Sequence, residues 1–209
     1  MAIHRIHHKH SDEQDDPHSP LVNFLWSHVG WLMFERSKLI PTSIYARDLL
    51  QDPLYRWLHG NLAWAWFFVA HALLLFLGGV LYGWHASSSW SQGISLGWSI
   101  VLWGVIVRSV VVWHMTWSIN SATHCFGYRN YDTRDDSRNN LVVALFTSGE
   151  GWHNNHHADP SSCCNRHRFW ELDQTWAMIK VLAWLGLASE IVEPRFRRQK
   201  LVSSRSRPR

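Results

Sequence analysis

The stretch Leu62–Tyr82 has the sequence LAWAWFFVAHALLLFLGGVLY and contains no Asp, Glu, Lys or Arg. About 20 apolar residues are enough for a helix to cross the hydrocarbon core of a bilayer. We therefore predict a transmembrane helix here, and we interpret His71 inside it as a structural histidine bonded to a neighbouring helix. The chain also has 15 tryptophans in 209 residues, a residue that is favoured where membrane meets water.

A second apolar stretch follows after a short link, Gly83–Gln92. Gly93–Trp113 has the sequence GISLGWSIVLWGVIVRSVVVW and predicts a second transmembrane helix, so that the two form a hairpin. Arg108 lies about one turn from the end of this span. A charge there either snorkels to the interface or serves a function inside the membrane, and both interpretations stay open.

The distribution of Lys and Arg predicts the orientation of this hairpin. These residues flank the two spans and are missing from Gly83–Gln92. Because cytoplasmic loops carry the excess of positive charge, we expect a multi-pass integral membrane protein with both termini in the cytoplasm and the link outside.

Two copies of one histidine pattern, H-x-x-H-H, lie on either side of the hairpin. One is His4-Arg5-Ile6-His7-His8, and the other ends the stretch Gly149–His157, GEGWHNNHH. Imidazole is the commonest side-chain metal ligand. On a helix, the first and last histidines share a face, and the two adjacent ones point about 100° apart. Two such clusters facing each other could therefore hold a pair of metal ions.

Further polar residues that could belong to the site lie after the second span and after the first cluster. Asn120 and His124 are four residues apart on the continuation of the second span, so they share a helix face. His114 we interpret as structural. The acidic run after the first cluster, Ser11 to Asp16, is mostly solvated, although one or two of its carboxylates could orient ligand histidines.

The organisation that follows is an all-α integral membrane protein, with one transmembrane helix hairpin and a cytoplasmic helical histidine-box metal domain. Its predicted parts are a histidine box and loop at 1–20, interfacial or cytoplasmic helices at 21–61, the hairpin at 62–113, a cytoplasmic helical metal-site region at 114–193 and a basic disordered tail at 194–209. Shorter helices are expected at 21–34, 43–51 and 169–187.

The net charge of +4 is concentrated in the tail, which has too few aromatics for a nucleic-acid partner. We interpret Cys125, Cys163 and Cys164 as free thiols.

The combination of motifs resembles a known family. HRIHH, NSATH and GEGWHNNHH, in this order around a membrane hairpin, resemble the membrane fatty-acid desaturases of the Δ9 acyl-CoA/acyl-lipid branch. Ser27–Trp31 (SHVGW), Asp15–Pro20 (DDPHSP) and Gly127–Asp132 (GYRNYD) are similar to that branch as well. The last box, GWHNNHH, is more similar to bacterial and plant members than to animal ones.

The resemblance implies a di-iron, oxygen-dependent desaturase that inserts a cis double bond into a long saturated acyl chain. Its partners would be a long-chain acyl-CoA or acyl-lipid, O2, membrane lipid and an electron donor of cytochrome b5 or ferredoxin type. Asn120 would hold a metal through water, and Trp117 and Arg108 are assigned to the substrate tunnel. By motif match, the direct metal ligands would be His4, His7, His8, His124, His153, His156 and His157.

The sequence departs from the family pattern in two places. The family has an earlier box, H-x-x-x-x-H, and the match here begins inside the second box. We therefore expect an incomplete form that inserts into membranes but is inactive alone, arising either from an internal start in a longer frame or from a truncated gene. Glu35-Arg36 occupies positions where acyl-CoA enzymes carry a basic pair, which leaves acyl-lipid substrates open.

Two other functions compete with this interpretation. One is a catalytically inactive membrane metal-binding remnant of a desaturase. The other is a related histidine-box hydroxylase or alkane monooxygenase, against which the short spacing between the boxes and the NSATH motif argue.

Overall fold

The computed structural model describes residues 1–20, 22–34 and 42–196. Over these ranges all regular secondary structure is helical, and extended pairing is limited to isolated bridges of Asn139 with Tyr128 and Trp152. This confirms the predicted all-α class. The predictions for Glu35-Arg36 and for most of the basic tail fall outside the described residues.

The helices are short in the N-terminal part and long in the middle of the chain. In chain order they are α1 Ala2–His10, a π-helical turn Trp26–Gly30, α2 Trp31–Phe34, α3 Thr42–Tyr45, α4 Arg47–Gln51, α5 Pro53–Gly60, α6 Ala63–Ser87, α7 Trp90–Val101, a second π-helical turn Leu102–Val107, α8 Arg108–Cys125, α9 Leu141–Phe146, α10 His153–Ala158 and α11 Gln174–Trp184.

Two helices are long and apolar enough to cross a membrane. One is α6, with 25 residues, and the other is the continuous helix Trp90–Cys125 of 36 residues, formed by α7, the second π-helical turn and α8. The turn between them is shorter than the sequence suggests, because helix continues to Ser87 and resumes at Trp90. Ser88 ends α6 in the left-handed conformation, and the hydroxyl of Ser89 caps α7.

Glycines allow α6 and α7 to pack closely. A Cβ atom on Gly83 would lie 2.8 Å from the Cα of Gly93, and one on Gly79 would lie 2.8 Å from the Cα of Gly97. Small residues at such crossings let helix backbones approach each other, which is the usual basis of packing between apolar helices in lipid. The predicted pairing of the two apolar stretches therefore has a physical basis in the sequence.

Caps explain where two helices begin. Pro53 is the first residue of α5, because Asp52 accepts hydrogen bonds from the amides of Leu54 and Tyr55. The C-terminal helix was predicted from Phe169 but begins at Gln174. There the Asp173 carboxylate caps it by accepting from the Trp176 amide at 2.8 Å.

The described residues divide into two compact units. The first contains residues 1–3 and 42–114, and the second contains residues 4–20, 22–34 and 115–196. Every member of the histidine site described next belongs to the second unit.

Candidate metal centre

Numbered within this chain, the three histidine boxes are HRIHH, NSATH and GWHNNHH. The first histidine box lies on α1, as its spacing predicts. His4 and His8 are one turn apart, and their Nε2 atoms are 3.1 Å apart. His7 projects from α1 in a different direction from His4 and His8, and it is fully buried. The box therefore presents two adjacent histidines in different directions, as expected for neighbours on a helix.

The third box lies on α10, which is anchored just before its first histidine. Trp152 is fully buried and its indole N–H donates to the carbonyl of Leu172 at 2.7 Å. A Cβ atom on Gly151 would lie 2.1 Å from the amide nitrogen of Ala144, so only glycine fits there. These contacts fix where α10 starts and hence where its histidines point.

Four buried or half-buried histidines form the first group. His124, near the end of α8, meets His7 of the first box and two histidines of the third box, His153 and His157. One ring nitrogen from each of the four lies within 4.8 Å of the others. The Nε2 atoms of His157 and His153 are 3.0 Å apart.

Three histidines form the second group, on the more exposed side of the first. They are His4, His8 and His156, again with one ring nitrogen from each within 4.8 Å of the others. The Nε2 atoms of His8 and His156 are 2.9 Å apart, although 148 positions separate the two residues in sequence. The two boxes therefore face each other and divide their histidines between two groups.

Carboxylates orient three rings of the first group. Asp16 lies 2.9 Å from Nδ1 of His7, and Asp12 lies 2.9 Å from Nδ1 of His124. Asp135 lies 2.7 Å from Nδ1 of His157. Since an ionised carboxylate only accepts hydrogen bonds, each Nδ1 carries the proton, which leaves the lone pair of Nε2 directed into the group.

Two of these lone pairs have no hydrogen-bond partner in the described part of the chain. The Nε2 atoms of His7 and His124 are buried and unpaired. A buried polar atom without a partner is costly, and a metal ion is the partner that converging imidazole nitrogens suit. The donor set therefore fits a nitrogen-ligated metal centre.

The rings are also in the protonation state that metals require. Burial, and secondarily the neighbouring imidazoles, lower the pKa of His4 to about 4 and that of His156 to about 3. The same causes lower the pKa of His8 to about 2, and that of His153 well below its usual value. These histidines are consequently neutral at neutral pH, with lone pairs available for coordination.

The other three residues predicted for the site differ from one another in burial and in what they contact. Asn120 is half-buried, and its backbone carbonyl accepts from the Ser27 hydroxyl at 3.3 Å. Trp117 packs edge-on against His28, with ring centroids 5.9 Å apart. Arg108 is exposed at the start of α8, in the first unit.

Reasoning from the sequence did not identify two residues that contact the histidine groups. Asp135 lies in a stretch without a histidine motif, and no spacing rule relates it to His157, 22 positions away. His18 is buried beside His7, with ring centroids 4.4 Å apart, and forms a further candidate group with His7 and Asp16. The available signal for His18 was its place in the DDPHSP motif. The suggestion that the acidic run orients histidines was correct for Asp12 and Asp16.

The asparagines between the histidines of the third box hold α10 against the surrounding loops. Asn155 accepts from the side-chain amides of Asn130 and Asn139, at 2.8 and 2.9 Å, and donates to the carboxylate of Glu171 at 2.9 Å. Asn154 accepts from the backbone amides of Asn130 and Tyr131, both at 2.8 Å. Both side chains are fully buried, so the H-N-N-H-H pattern combines histidines that face the two groups with asparagines that anchor the helix.

Together, the fold and the site define a helical protein with a multi-histidine cluster that is compatible with metal binding and two helices long enough to cross a membrane. A family model described as fatty acid desaturase matches residues 1–186. The chain belongs to the fatty acid desaturase family.

Curated relatives cover nearly all of this chain. It is 43% identical to the sn-1 stearoyl-lipid 9-desaturase of Synechocystis sp. over 93% of this chain and 55% of the relative. It is 42% identical to the sn-1 stearoyl-lipid 9-desaturase of Anabaena variabilis over 91% of this chain and 63% of the relative. An acyl-CoA 5-desaturase of Anemone leveillei is 38% identical over 93% of this chain and 55% of the relative. The chain therefore spans a little over half the length of these relatives.

Proposed function

We propose that this chain carries the di-iron centre of an oxygen-dependent acyl-lipid desaturase of the Δ9 type. The observation that supports it best is the convergence of seven box histidines in two groups, with the buried Nε2 atoms of His7 and His124 unpaired. One iron would be held by the first group and the other by the second, with Asn120 contributing through water. When bound, the iron pair would supply the oxygen activation that removal of hydrogen from an unactivated acyl chain requires.

The residues of the chain hold and orient this centre. Asp12, Asp16 and Asp135 keep the Nδ1 protons of their histidines in place, so that Nε2 stays free for coordination. Neutral imidazoles leave the positive charge of the metal ions uncompensated, whereas carboxylate ligands would reduce it. Nitrogen ligands suit iron as well as zinc, copper and nickel, and the family membership favours iron among these.

A membrane lipid is the substrate that the relatives favour. The relatives at 42–43% identity are named as stearoyl-lipid desaturases, and those named as acyl-CoA desaturases are 37–38% identical. Two helices that could cross a membrane are consistent with a lipid-borne substrate. We assign Trp117 and Arg108 to the path of the acyl chain, and an electron donor of cytochrome b5 or ferredoxin type would supply the reducing equivalents.

Metal content tests the centre. The full chain is produced in iron-supplemented cells, purified in detergent and assayed for iron by mass spectrometry. His156→Ala removes a member of the second group and is expected to lower bound iron markedly. His10→Ala is the matched control, since His10 lies on the same helix as the first box but contacts Glu13 instead. Equal iron in both variants would contradict the assignment.

Lipid profiling tests the activity. The chain is expressed in a host that makes saturated membrane lipids, both alone and joined to the part of the Synechocystis relative that the match does not cover. New monounsaturated acyl chains that disappear with His156→Ala are expected. Retention of iron without any new double bond would instead favour a metal-binding protein that lacks desaturase activity, and hydroxylated chains would favour the hydroxylase alternative.

A further inference from the structure

The carboxylate of Asp135 is held on the side away from its histidine. Its Oδ1 atom accepts from the hydroxyl of Thr133 at 2.9 Å, from the amide of Ser137 at 3.1 Å and from the Ser137 hydroxyl. Its Oδ2 atom lies 2.7 Å from Nδ1 of His157. Because Oδ1 is engaged by three donors, the carboxylate can turn only by breaking them, and Oδ2 stays directed at His157.

Thr133 is in turn held by the helix that carries His157. The buried side chain of Asn154, on α10, donates to the Thr133 hydroxyl at 3.2 Å, and Arg129 donates to the same oxygen at 3.0 Å. A hydroxyl has one hydrogen and two lone pairs. With two donors on its oxygen, Thr133 directs its single hydrogen at the nearest of three acceptors, which is Oδ1 of Asp135 at 2.9 Å. The Ser137 hydroxyl and the Asp135 backbone carbonyl lie farther away, at 3.2 and 3.4 Å.

We propose that Thr133, oriented by Asn154, is a positioning residue of the metal centre that acts on His157 through Asp135. Asn154 and His157 both lie on α10. The helix that carries His157 therefore also orients Thr133, which holds Asp135 against His157. The inference rests on the proposed metal centre and gives a role to Thr133 and Asp135, which lie outside the motifs.

The consequence of losing the hydroxyl follows from the geometry. Thr133→Val keeps the shape of the side chain but removes a donor from Oδ1 of Asp135 and an acceptor from the side-chain amide of Asn154. Oδ1 of Asp135 then keeps only the two donors of Ser137, so Asp135 holds the His157 ring less firmly in its orientation toward the first group. Loss of partners outside the direct ligands typically lowers metal affinity by about 10–100-fold, and we expect about 10-fold here.

The test is a titration of the purified full chain in detergent with Co²⁺, whose visible absorption reports ligand number and geometry. Thr133→Val is expected to bind about 10-fold more weakly with an altered spectrum. Thr133→Ser, which keeps the hydroxyl, is expected to match the wild type. Thr147→Val is the matched control, because the Thr147 hydroxyl bonds only to the Val143 carbonyl of its own helix in the described contacts.

A double variant separates action through Asp135 from a general structural effect. If Thr133 acts through Asp135, adding Thr133→Val to Asp135→Asn should weaken Co²⁺ binding no further than Asp135→Asn alone. The inference would be overturned if the double variant bound Co²⁺ more weakly than Asp135→Asn by the full factor that Thr133→Val causes on its own. Should Thr133→Val not fold, Ser137→Ala, which removes another donor from the same oxygen, is expected to weaken binding in its place, and unchanged binding there would overturn the inference equally.

The two proposals fail differently in this experiment. A wild-type chain that does not bind Co²⁺ would overturn the metal centre and this inference with it. A wild-type chain that binds, with Thr133→Val folded and unchanged in affinity and spectrum, would overturn the role of Thr133 alone.

Discussion

The Oδ2 atom of Asp12 lies 2.9 Å from Nδ1 of His124, across 112 positions of sequence. The same oxygen accepts from the backbone amide of Asp136 at 2.7 Å. One carboxylate therefore ties together the loop after the first histidine box, the end of α8 and the loop that carries Asp135. The geometry of the first histidine group consequently depends on contacts between segments that are remote in the chain.

Removal of the Asp12 carboxylate is expected to weaken metal binding without removing a direct ligand. In Asp12→Ala, His124 loses the acceptor that keeps the proton on Nδ1, so its Nε2 lone pair is no longer fixed toward the group. We expect Co²⁺ or Fe²⁺ affinity to fall by about 10–100-fold, measured by competition with a chromophoric chelator. Asp15→Ala is the control, because Asp15 is exposed in the same acidic run. Equal affinities of the two variants would count against this role of Asp12.

Neutralisation of Glu171 is expected to destabilise the second unit. Its fully buried carboxylate accepts from the Tyr128 hydroxyl at 2.6 Å, from the side-chain amides of Asn130 and Asn155, and from the amides of His167 and Arg168. In Glu171→Gln, an amide N–H would face some of these donors, and charge-assisted hydrogen bonds worth about 1.5–3 kcal/mol each would weaken.

Thermal unfolding in detergent, followed by tryptophan fluorescence, measures this effect. A total loss of about 3 kcal/mol corresponds to a fall in Tm of roughly 6–12 °C for a chain of this size. Glu13→Gln serves as the control, since the side chain of Glu13 is mostly exposed. A Tm within about 2 °C of the wild type for Glu171→Gln would show that the buried contacts do not require the charge.

The orientation in the membrane is a prediction from charge alone, and the turn between α6 and α7 offers its test. Ser88 is exposed in that turn. In intact cells, Ser88→Cys is expected to react with a membrane-impermeant maleimide added from outside. The wild-type chain, with its native Cys125, Cys163 and Cys164, should remain unlabelled until the membrane is permeabilised. Labelling of the native thiols from outside, with Ser88→Cys protected, would reverse the predicted topology.

Local patterns account for the elements of this protein that sequence reasoning predicted correctly. The i, i+3 and i, i+4 spacings of the boxes predicted helices, and α1 and α10 are helical. Apolar runs, the first without charge and the second with Arg108 as its single charged residue, predicted the two long helices. These features depend on helix periodicity and composition, both of which are present in any short window of the chain.

Tertiary structure alone decided how the histidines are shared and what orients them. The first box sends His7 to one group and His4 and His8 to the other, and the third box divides its histidines likewise. Asp135 reaches His157, and Asn154 reaches Thr133, through a loop whose path follows from buried hydrogen bonds. Sequence spacing determines which side chains share a helix face. Which faces meet depends on the packing of segments that are more than 100 residues apart, and no local pattern encodes that packing.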